Sequence, residues 1–359
     1  MLTSERLDAL TASAVTLLQE LIRTPSLSRE EADTAQLLQH HLQRAGKEVN
    51  TKGNNVWVYS QDFRSEWPTV LLNSQHDTVK PSASWTLDPF QPIIRRGKLF
   101  GLGSNDAGGP LVSLLHAFLY LDTLSNRGYN LVFAATAEEE ISGQNGIASI
   151  MDELGDIALG IVGEPTQMNM AVAEKGLMVL DCEARGLSGH AARKEGVNAI
   201  YAAIQDITWI KEFHFPDKSD LLGEVSMTVT QIQAGSQHNV VPDRCTFVVD
   251  IRTNERYAND QVLQIVDHNT VSQVTPRSLR LNSSHIPLDH PIIQRGIDFG
   301  LSTYGSPTLS DQALMTGFPT LKIGPGKSER SHTADEYIKL EEIKHGIATY
   351  CQLLEGLRL

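Results

Sequence analysis

At 359 residues the chain is long for one compact core and predicts two domains, and its 41% apolar content suits a soluble globular protein. Thirty basic against 43 acidic side chains leave a formal charge of −13, which argues against nucleic acid or an anionic membrane as a partner. Cys182, Cys245 and Cys351 are widely spaced with no CxxC pair, so neither a disulfide framework nor a thiolate zinc finger is expected, and a reducing cytoplasm fits best. The N-terminal stretch lacks the basic flank and unbroken apolar core of a signal peptide, and no run approaches the ~20 apolar residues of a membrane span.

In chain order, Leu7, Leu10, Ala14, Leu17 and Leu21 recur at helical spacing until Pro25 closes the helix. Ser28 with Glu31 three places on reads as a capping box for a second helix ending near Gly46. Short apolar runs at 56–59, 69–72, 130–135 and 157–162 then alternate with helical stretches, one of them at about 111–121. That alternation predicts an α/β fold, a mixed and mostly parallel sheet flanked by helices. After Glu164-Pro165 the pattern changes to half-buried strands at 178–183, 225–232 and 245–251, separated by helices near 198–213 and 260–271. From about Pro291 the earlier style returns, with an apolar run at 320–323 and a last helix whose Ile343, Ile347, Tyr350 and Leu354 share one face. The expected division is 1–173 and 285–359 for one domain, with an inserted α+β domain at 174–284.

Chemistry-bearing residues collect where predicted strands end. Asn73 to Val79 follows one strand, Glu138-Glu139-Glu140 the next, and Gly163-Glu164-Pro165 another. Ser331-His332-Thr333 lies beyond the run at 320–323, and Gly103-Ser104-Asn105-Asp106 precedes a helix. Alone, each piece has an ordinary reading: an Asp caps a helix, three glutamates form a solvated face, a single histidine sits at the surface. Five such pieces together point to a divalent-metal site, because ligands of open α/β sheets bind beyond the carboxyl ends of strands and adjacent buried carboxylates need a cation. Mixed Asp, Glu and His donors suit zinc, with cobalt or manganese as alternatives.

The order and local contexts of these residues resemble the M20 metallopeptidase family over almost the whole chain. The segments that carry the likeness are Gln75-His76-Asp77-Thr78-Val79, Asp106, Glu138-Glu139-Glu140, Gly163-Glu164-Pro165-Thr166, Gly189-His190 and His332. The resembling branch is the acetylornithine deacetylase and succinyl-diaminopimelate desuccinylase group. That resemblance implies a zinc-peptidase-like fold holding two ions. Asp106 would bridge them, Glu164 would complete one site, and Glu140 with His332 the other. Glu139 would be the general base and Asp77 would orient a neighbouring ligand. His190 would donate a hydrogen bond to the tetrahedral oxyanion. The inserted domain would serve dimerisation or act as a lid, giving a homodimer.

One position departs from that pattern. The family ligand two places before the aspartate is a histidine, and here it is Gln75, with His76 one place late. Extended residues two apart share a face, so Gln75 rather than His76 is expected to point with Asp77. A local bulge would let His76 swing in; otherwise Gln75 supplies a weaker amide oxygen or one metal site is impaired. The reading adopted is a weakened first site.

For substrate, Arg252 in Asp250-Ile251-Arg252 offers a bidentate partner for an α-carboxylate, with a structural salt bridge as the ordinary alternative. Asn239 and Lys175 are further candidate contacts, Ser310-Asp311 a weaker one, and Gly324-Pro325-Gly326 reads as a tight loop. The resemblance implies a small N-acyl amino acid as substrate, such as acetyl- or succinyl-ornithine or N-acetylcitrulline, in arginine biosynthesis. A dipeptidase or carboxypeptidase of the same family, and a metal-impaired binding protein, stay open at this point. No G-x-S-x-G elbow and no H-E-x-x-H helix occurs.

Overall fold

A computed structural model describes residues 2–125, 127–193 and 195–359. Helix α1 (Ser4–Arg23) starts where the Thr3 hydroxyl accepts from the Arg6 N–H at 3.3 Å, and it buries Leu10, Ala14, Leu17, Leu18 and Ile22. Helix α2 (Ala32–Arg44) begins at Glu31, with no side-chain cap. The expected Ser28–Glu31 capping box is therefore not formed. Both side chains are drawn into tertiary bonds: the Ser28 hydroxyl donates to Asp77 at 2.8 Å, and the Glu31 carboxylate accepts from Arg29 N–H and the Asn54 amide. Buried carboxylates demand donors, and that demand outweighs a local cap.

Strands β1 (Asn50–Lys52), β2 (Asn55–Tyr59) and β3 (Thr69–Gln75) follow. Next come the hairpin β4 (Ile93–Arg95) and β5 (Lys98–Phe100), then α3 (Gly109–Leu121), β6 (Asn130–Thr136), α4 (Ile147–Leu154), β7 (Leu159–Val162) and β8 (Met170–Glu174). The chain continues through β9 (Gly176–Arg185), β10 (Gly189–His190), α5 (Ala199–Glu212), β11 (Ser226–Ala234) and β12 (Val240–Val241). Strand β13 (Arg244–Thr253), helix α6 (Asn259–Asn269), β14 (Gln273–Pro276) and β15 (Ser284–His285) complete that stretch. The remainder holds α7 (Pro291–Asp298), β16 (Thr303–Ser306), β17 (Thr320–Lys322), β18 (Tyr337–Lys339) and α8 (Leu340–Leu354).

Two compact units result. The larger runs to Val172 and takes in Ile286–Tyr304 and Ser310–Leu359; the second comprises Ala173–His285 with Gly305–Leu309. In the larger unit the strands β6, β3, β7 and β17 lie side by side and parallel. Antiparallel β2 and β1 extend one side, and β8 pairs antiparallel with β17 on the other. β3, β6 and β7 are buried at every residue, as strands covered on both faces must be. Leu71, Val132, Ala134 and Val162 pack with Ile147, Ile150 and Leu154 of α4. On the alternate face Phe133 meets Phe118 of α3, which lies against α1 and α8. The buried Ile343, Ile347, Tyr350 and Leu354 are the face expected of the last helix.

The second unit is a four-stranded antiparallel sheet in the order β11–β13–β9–β14. β9 and β13 alternate buried and partly exposed residues, so Met178, Leu180, Cys182, Phe247, Val249 and Ile251 face α5 and α6. Its edge strand β11 is almost entirely exposed. The periodicity did not signal the three-residue strands β4, β5 and β18, which form a small sheet of their own, nor helix α7.

Candidate metal centre

Because β3, β6, β7 and β17 run parallel, their carboxyl ends share one edge of the sheet. Gln75 pairs with Thr136, and Lys322 with Val162, so the segments beginning at 76, 137, 163 and 323 all emerge there. This is the crevice where α/β sheets bind ligands.

The glutamate run leaves β6 through a tight turn with Glu138 in the left-handed region (φ 56°). Glu138 holds the turn itself. Its N–H donates to Glu31 at 3.2 Å, and its carboxylate accepts from the Asn145 backbone N–H and side-chain amide at 3.2 and 2.9 Å. Asp77 fixes the next two residues: one carboxylate oxygen accepts the Glu139 N–H at 3.1 Å, and the other accepts the Glu140 N–H at 3.2 Å along with Ser28. Burial pushes the Asp77 carboxyl up to about 7, against the pull of those hydrogen bonds.

Asp106 is carried on a turn at Ser104–Gly108, opened by Gly103 at φ 72°. That turn is gripped by Glu336, a residue the sequence reading did not single out. Its buried carboxylate accepts the N–H groups of Gly103, Asn105 and Asp106 at 3.1, 2.7 and 2.9 Å. Burial, with the Asp106 charge beside it, holds Glu336 up at about 8. The Asn105 side chain joins the same loops by donating to the Lys327 carbonyl at 3.0 Å and accepting the Lys327 N–H at 2.9 Å. Because the partners of Glu336 are backbone groups more than 200 residues away, no local motif announces it.

His332 completes the group. Its Nε2 lies 3.0 Å from the Glu140 carboxylate and 3.5 Å from that of Asp106. One ligand atom from each of Asp106, Glu140 and His332 falls within 4.8 Å of the other two. The hydrogen bond to Glu140 raises the half-exposed His332 imidazole to about 9, while burial and the Glu140 charge lift Asp106 to about 6. Glu139 and Glu164 are pushed well above the carboxylate range, first by burial. The charges of Glu164 and Asp311 add to this at Glu139, and that of Asp106 at Glu164. Asp311 is buried, accepting from the Asn73 amide and the Thr136 hydroxyl at 2.8 and 2.9 Å. The buried Lys322 lowers both Asp106 and Glu164. A lysine inside an apolar run was the available sequence signal for it, since lysine is rarely buried without a partner.

The Gly324-Pro325-Gly326 loop is zipped to the Glu164 loop, with Thr166 and Met168 N–H groups donating to the Gly324 carbonyl at 3.1 and 2.8 Å. A Cβ on Gly324 would stand 2.4 Å from the Glu164 carbonyl oxygen, so the close approach requires glycine.

His76, a ligand only if a bulge swung it in, is turned away from that role. Its Nδ1 is bonded to the Thr34 hydroxyl and its Nε2 to the Asn54 carbonyl oxygen, both at 2.9 Å. No bulge frees it, because β3 keeps register with β6 through Gln75 and the His76 N–H goes on to donate to Thr136. Gln75 is 1% exposed, and neither its Oε1 nor its Nε2 has a partner among the described residues.

The remaining candidates lie in the second unit. His190 pairs with Val240 across β10 and β12, and its Nδ1 accepts the Ala192 N–H at 3.2 Å. The Asn239 carbonyl accepts from Ala191 N–H, and the Lys175 ammonium donates to the Glu224 carbonyl at 3.3 Å. Arg252 forks Asp250 at 2.8 and 3.2 Å, so its guanidinium is held in a salt bridge within its own strand.

One imidazole and two carboxylates form a donor set that catalytic zinc accepts, and the surrounding buried negative charge calls for a cation. The residues present fit one such ion. Fold and donor set thus define the class, an α/β protein with a candidate divalent-metal triad at the ends of its parallel strands. The chain belongs to peptidase family M20/M25/M40, whose model matches residues 71–356, and it is an amide hydrolase of that family. It is 28% identical to an acetylornithine deacetylase of Proteus mirabilis (strain HI4320), over 96% of this chain and 97% of that one. It is 27% identical to a succinyl-diaminopimelate desuccinylase of Buchnera aphidicola subsp. Acyrthosiphon pisum (strain Tuc7), over 97% of this chain and all of the other. Among solved structures it resembles the Bacillus subtilis YXEP protein, described as a dinuclear metal-binding peptidase of the M20 family. There the TM-score is 0.73 and the identity 16%, covering 97% of this chain and 98% of that one. No helix among the described residues is long and apolar enough to cross a membrane.

Proposed function

We propose that this protein is a metal-dependent deacylase that removes an acetyl or succinyl group from an N-acylated amino acid such as ornithine or citrulline, in arginine biosynthesis. The observation that carries the reading is Glu139. Its backbone is pinned by Asp77, its neighbour Glu140 belongs to the triad, and burial and like charges raise its carboxyl above the usual carboxylate range. The names of the two curated relatives support the substrate class.

Asp106, Glu140 and His332 would hold the ion, with zinc expected and cobalt or manganese as alternatives. When bound, it supplies Lewis-acid polarisation of the scissile carbonyl and lowers the pKa of water. The protein's own part follows from placement. Glu139 takes a proton from the attacking water as the oxygen adds to the acyl carbon, then delivers it to the amine nitrogen as the carbon–nitrogen bond breaks. Proton affinity raised by burial suits a group that must accept and then return a proton. Asp77 and Glu336 keep the glutamate turn and the Asp106 turn in place. His190 is assigned the oxyanion hydrogen bond and Arg252 the substrate carboxylate, which requires exchange with Asp250, while Asn239 and Lys175 are further polar contacts to substrate. A homodimer through the second unit is proposed from the exposed edge strand β11 and the exposed Tyr201 and Ile204 of α5. A cytoplasmic location is part of the same reading.

The test is a hydrolysis assay in the presence of zinc, cobalt or manganese. The panel is the N-acetyl and N-succinyl forms of ornithine and citrulline, with dipeptides as the competing substrates. Turnover of an N-acyl amino acid well above the dipeptides is expected. Preference for dipeptides would replace deacylation with peptidase activity, and no turnover by folded, metal-loaded protein would move the reading to a binding protein.

A further inference from the structure

The two sides of the centre differ in donor chemistry. On one side stand Asp106, Glu140 and His332, the only such group of three ligand residues among those described. On the other stand Glu164, at the end of β7, and Gln75, at the end of the adjacent β3. Gln75 lines a small, largely apolar cavity that also takes in His76, Asp77 and, from the turn that carries Asp106, Gly103, Ala107 and Gly108. Its side-chain amide is enclosed and unpartnered among the described residues. A buried amide without partners is costly, and the strand end that carries it lies next to the strand end that leads to Glu164. Yet an amide oxygen is a neutral, hard donor, whereas zinc favours imidazole nitrogen. The neighbouring imidazole, His76, has both nitrogens committed elsewhere.

A second feature sits on the same side. Lys322 ends β17, paired in register with Val162 of β7, two residues before Glu164. It is buried, and its charge acts on Glu164 and on Asp106. An ammonium placed there already offsets negative charge that would otherwise await a cation.

We infer that this chain binds a single divalent ion tightly, at Asp106, Glu140 and His332, while Gln75 and Lys322 leave the Glu164 side without a second ion of comparable affinity. The inference rests on the reading of this centre as a metal site and goes beyond it by fixing stoichiometry and place. Loss of an outer partner of a ligand alone costs about 10–100-fold in metal affinity. Replacing the ligand itself is therefore expected to weaken the second ion by more than about a hundredfold.

The experiment is titration of the chelator-stripped full chain with Zn²⁺ alone, read by equilibrium dialysis with elemental analysis, and with Co²⁺ alone, read by its visible absorption. One tight equivalent per chain is expected. Gln75→His should raise the count to two, and His332→Ala should lower the tight count below one, with thermal melting used to show that each variant is folded. Two equivalents in the unaltered chain with affinities within tenfold of each other would overturn the inference without recourse to any variant. A folded Gln75→His protein that still binds one ion would also overturn it, by removing Gln75 as the cause. No substrate enters these measurements, so failure to hydrolyse any amide would count against the proposed function and leave the stoichiometry standing.

Discussion

Asp106 and Gln75 are both enclosed polar residues of the larger unit, yet they are held in opposite ways. The Asp106 turn is over-determined: three backbone N–H groups converge on Glu336, Asn105 ties the turn to the Lys327 segment, and the Asp106 carboxylate faces His332. Gln75 has a backbone locked in the central sheet and a side chain with no partner among the described residues. The contrast separates two requirements of a metal centre, rigid placement and the right donor. As a candidate ligand Asp106 offers both, and Gln75 offers placement alone.

The largest expected effect falls on the well-built side. Glu139→Gln keeps the shape but removes the base, and kcat should fall by about 10²–10⁴-fold with the metal content unchanged. Loss of metal along with rate would show that Glu139 is a ligand and not a proton carrier.

Next comes the grip on Asp106. Glu336→Gln leaves an oxygen for some of the three N–H donors but lacks a carboxylate's symmetry and charge. Metal affinity is expected to drop by about 10–100-fold, with Glu336→Asp recovering part of it. Because Glu336 acts through Asp106, raising the metal concentration should restore kcat. A kcat that stays low at saturating metal would mean that Glu336 does more than position.

A pH series on metal-free protein tests the same side by a different route. Asp77 at about 7, Glu336 at about 8 and His332 at about 9 all sit above their unfolded values of 3.8, 4.5 and 6.5. Between pH 6.5 and 9 the folded chain therefore holds more protons than the unfolded one, and stability must fall as pH rises. His116, lowered to about 4 by burial, opposes the trend only near the lower edge of the window, where its unfolded imidazole still loses protons, and His41, His76 and His290, also lowered by burial, act in the same way. The melting temperature of stripped protein should decline across the window, and Glu336→Gln should flatten the decline. A flat profile in the parent chain would contradict these assignments.

The smallest effect is at Ser28. Ser28→Ala removes one donor from Asp77 and should cost about 1 kcal/mol in urea unfolding. No change would mean that the hydroxyl contributes nothing to holding the carboxylate.

These residues also show where sequence was a sufficient guide. The buried strands and the helix carrying Ile343 to Leu354 follow from hydrophobic period alone, because burial of whole faces leaves a repeating mark. Asp106, Glu140 and His332 stood out by their order at successive loops, and the fold brings their ligand atoms within 4.8 Å of one another. Glu336 was not, since three backbone amides carry no side-chain identity to read. Ser28 and Glu31 matched a local motif, and a buried carboxylate elsewhere in the fold claimed the hydroxyl. Gln75 and His76 were distinguishable by the two-residue period of a strand, and the structure places His76 against Thr34 and Asn54 as that period requires.

The most direct test of the asymmetric centre is anomalous diffraction at the zinc edge from crystals soaked in Zn²⁺. The account predicts one strong peak among Asp106, Glu140 and His332, with nothing of similar height beside Gln75 and Glu164. Two peaks of equal height would contradict it.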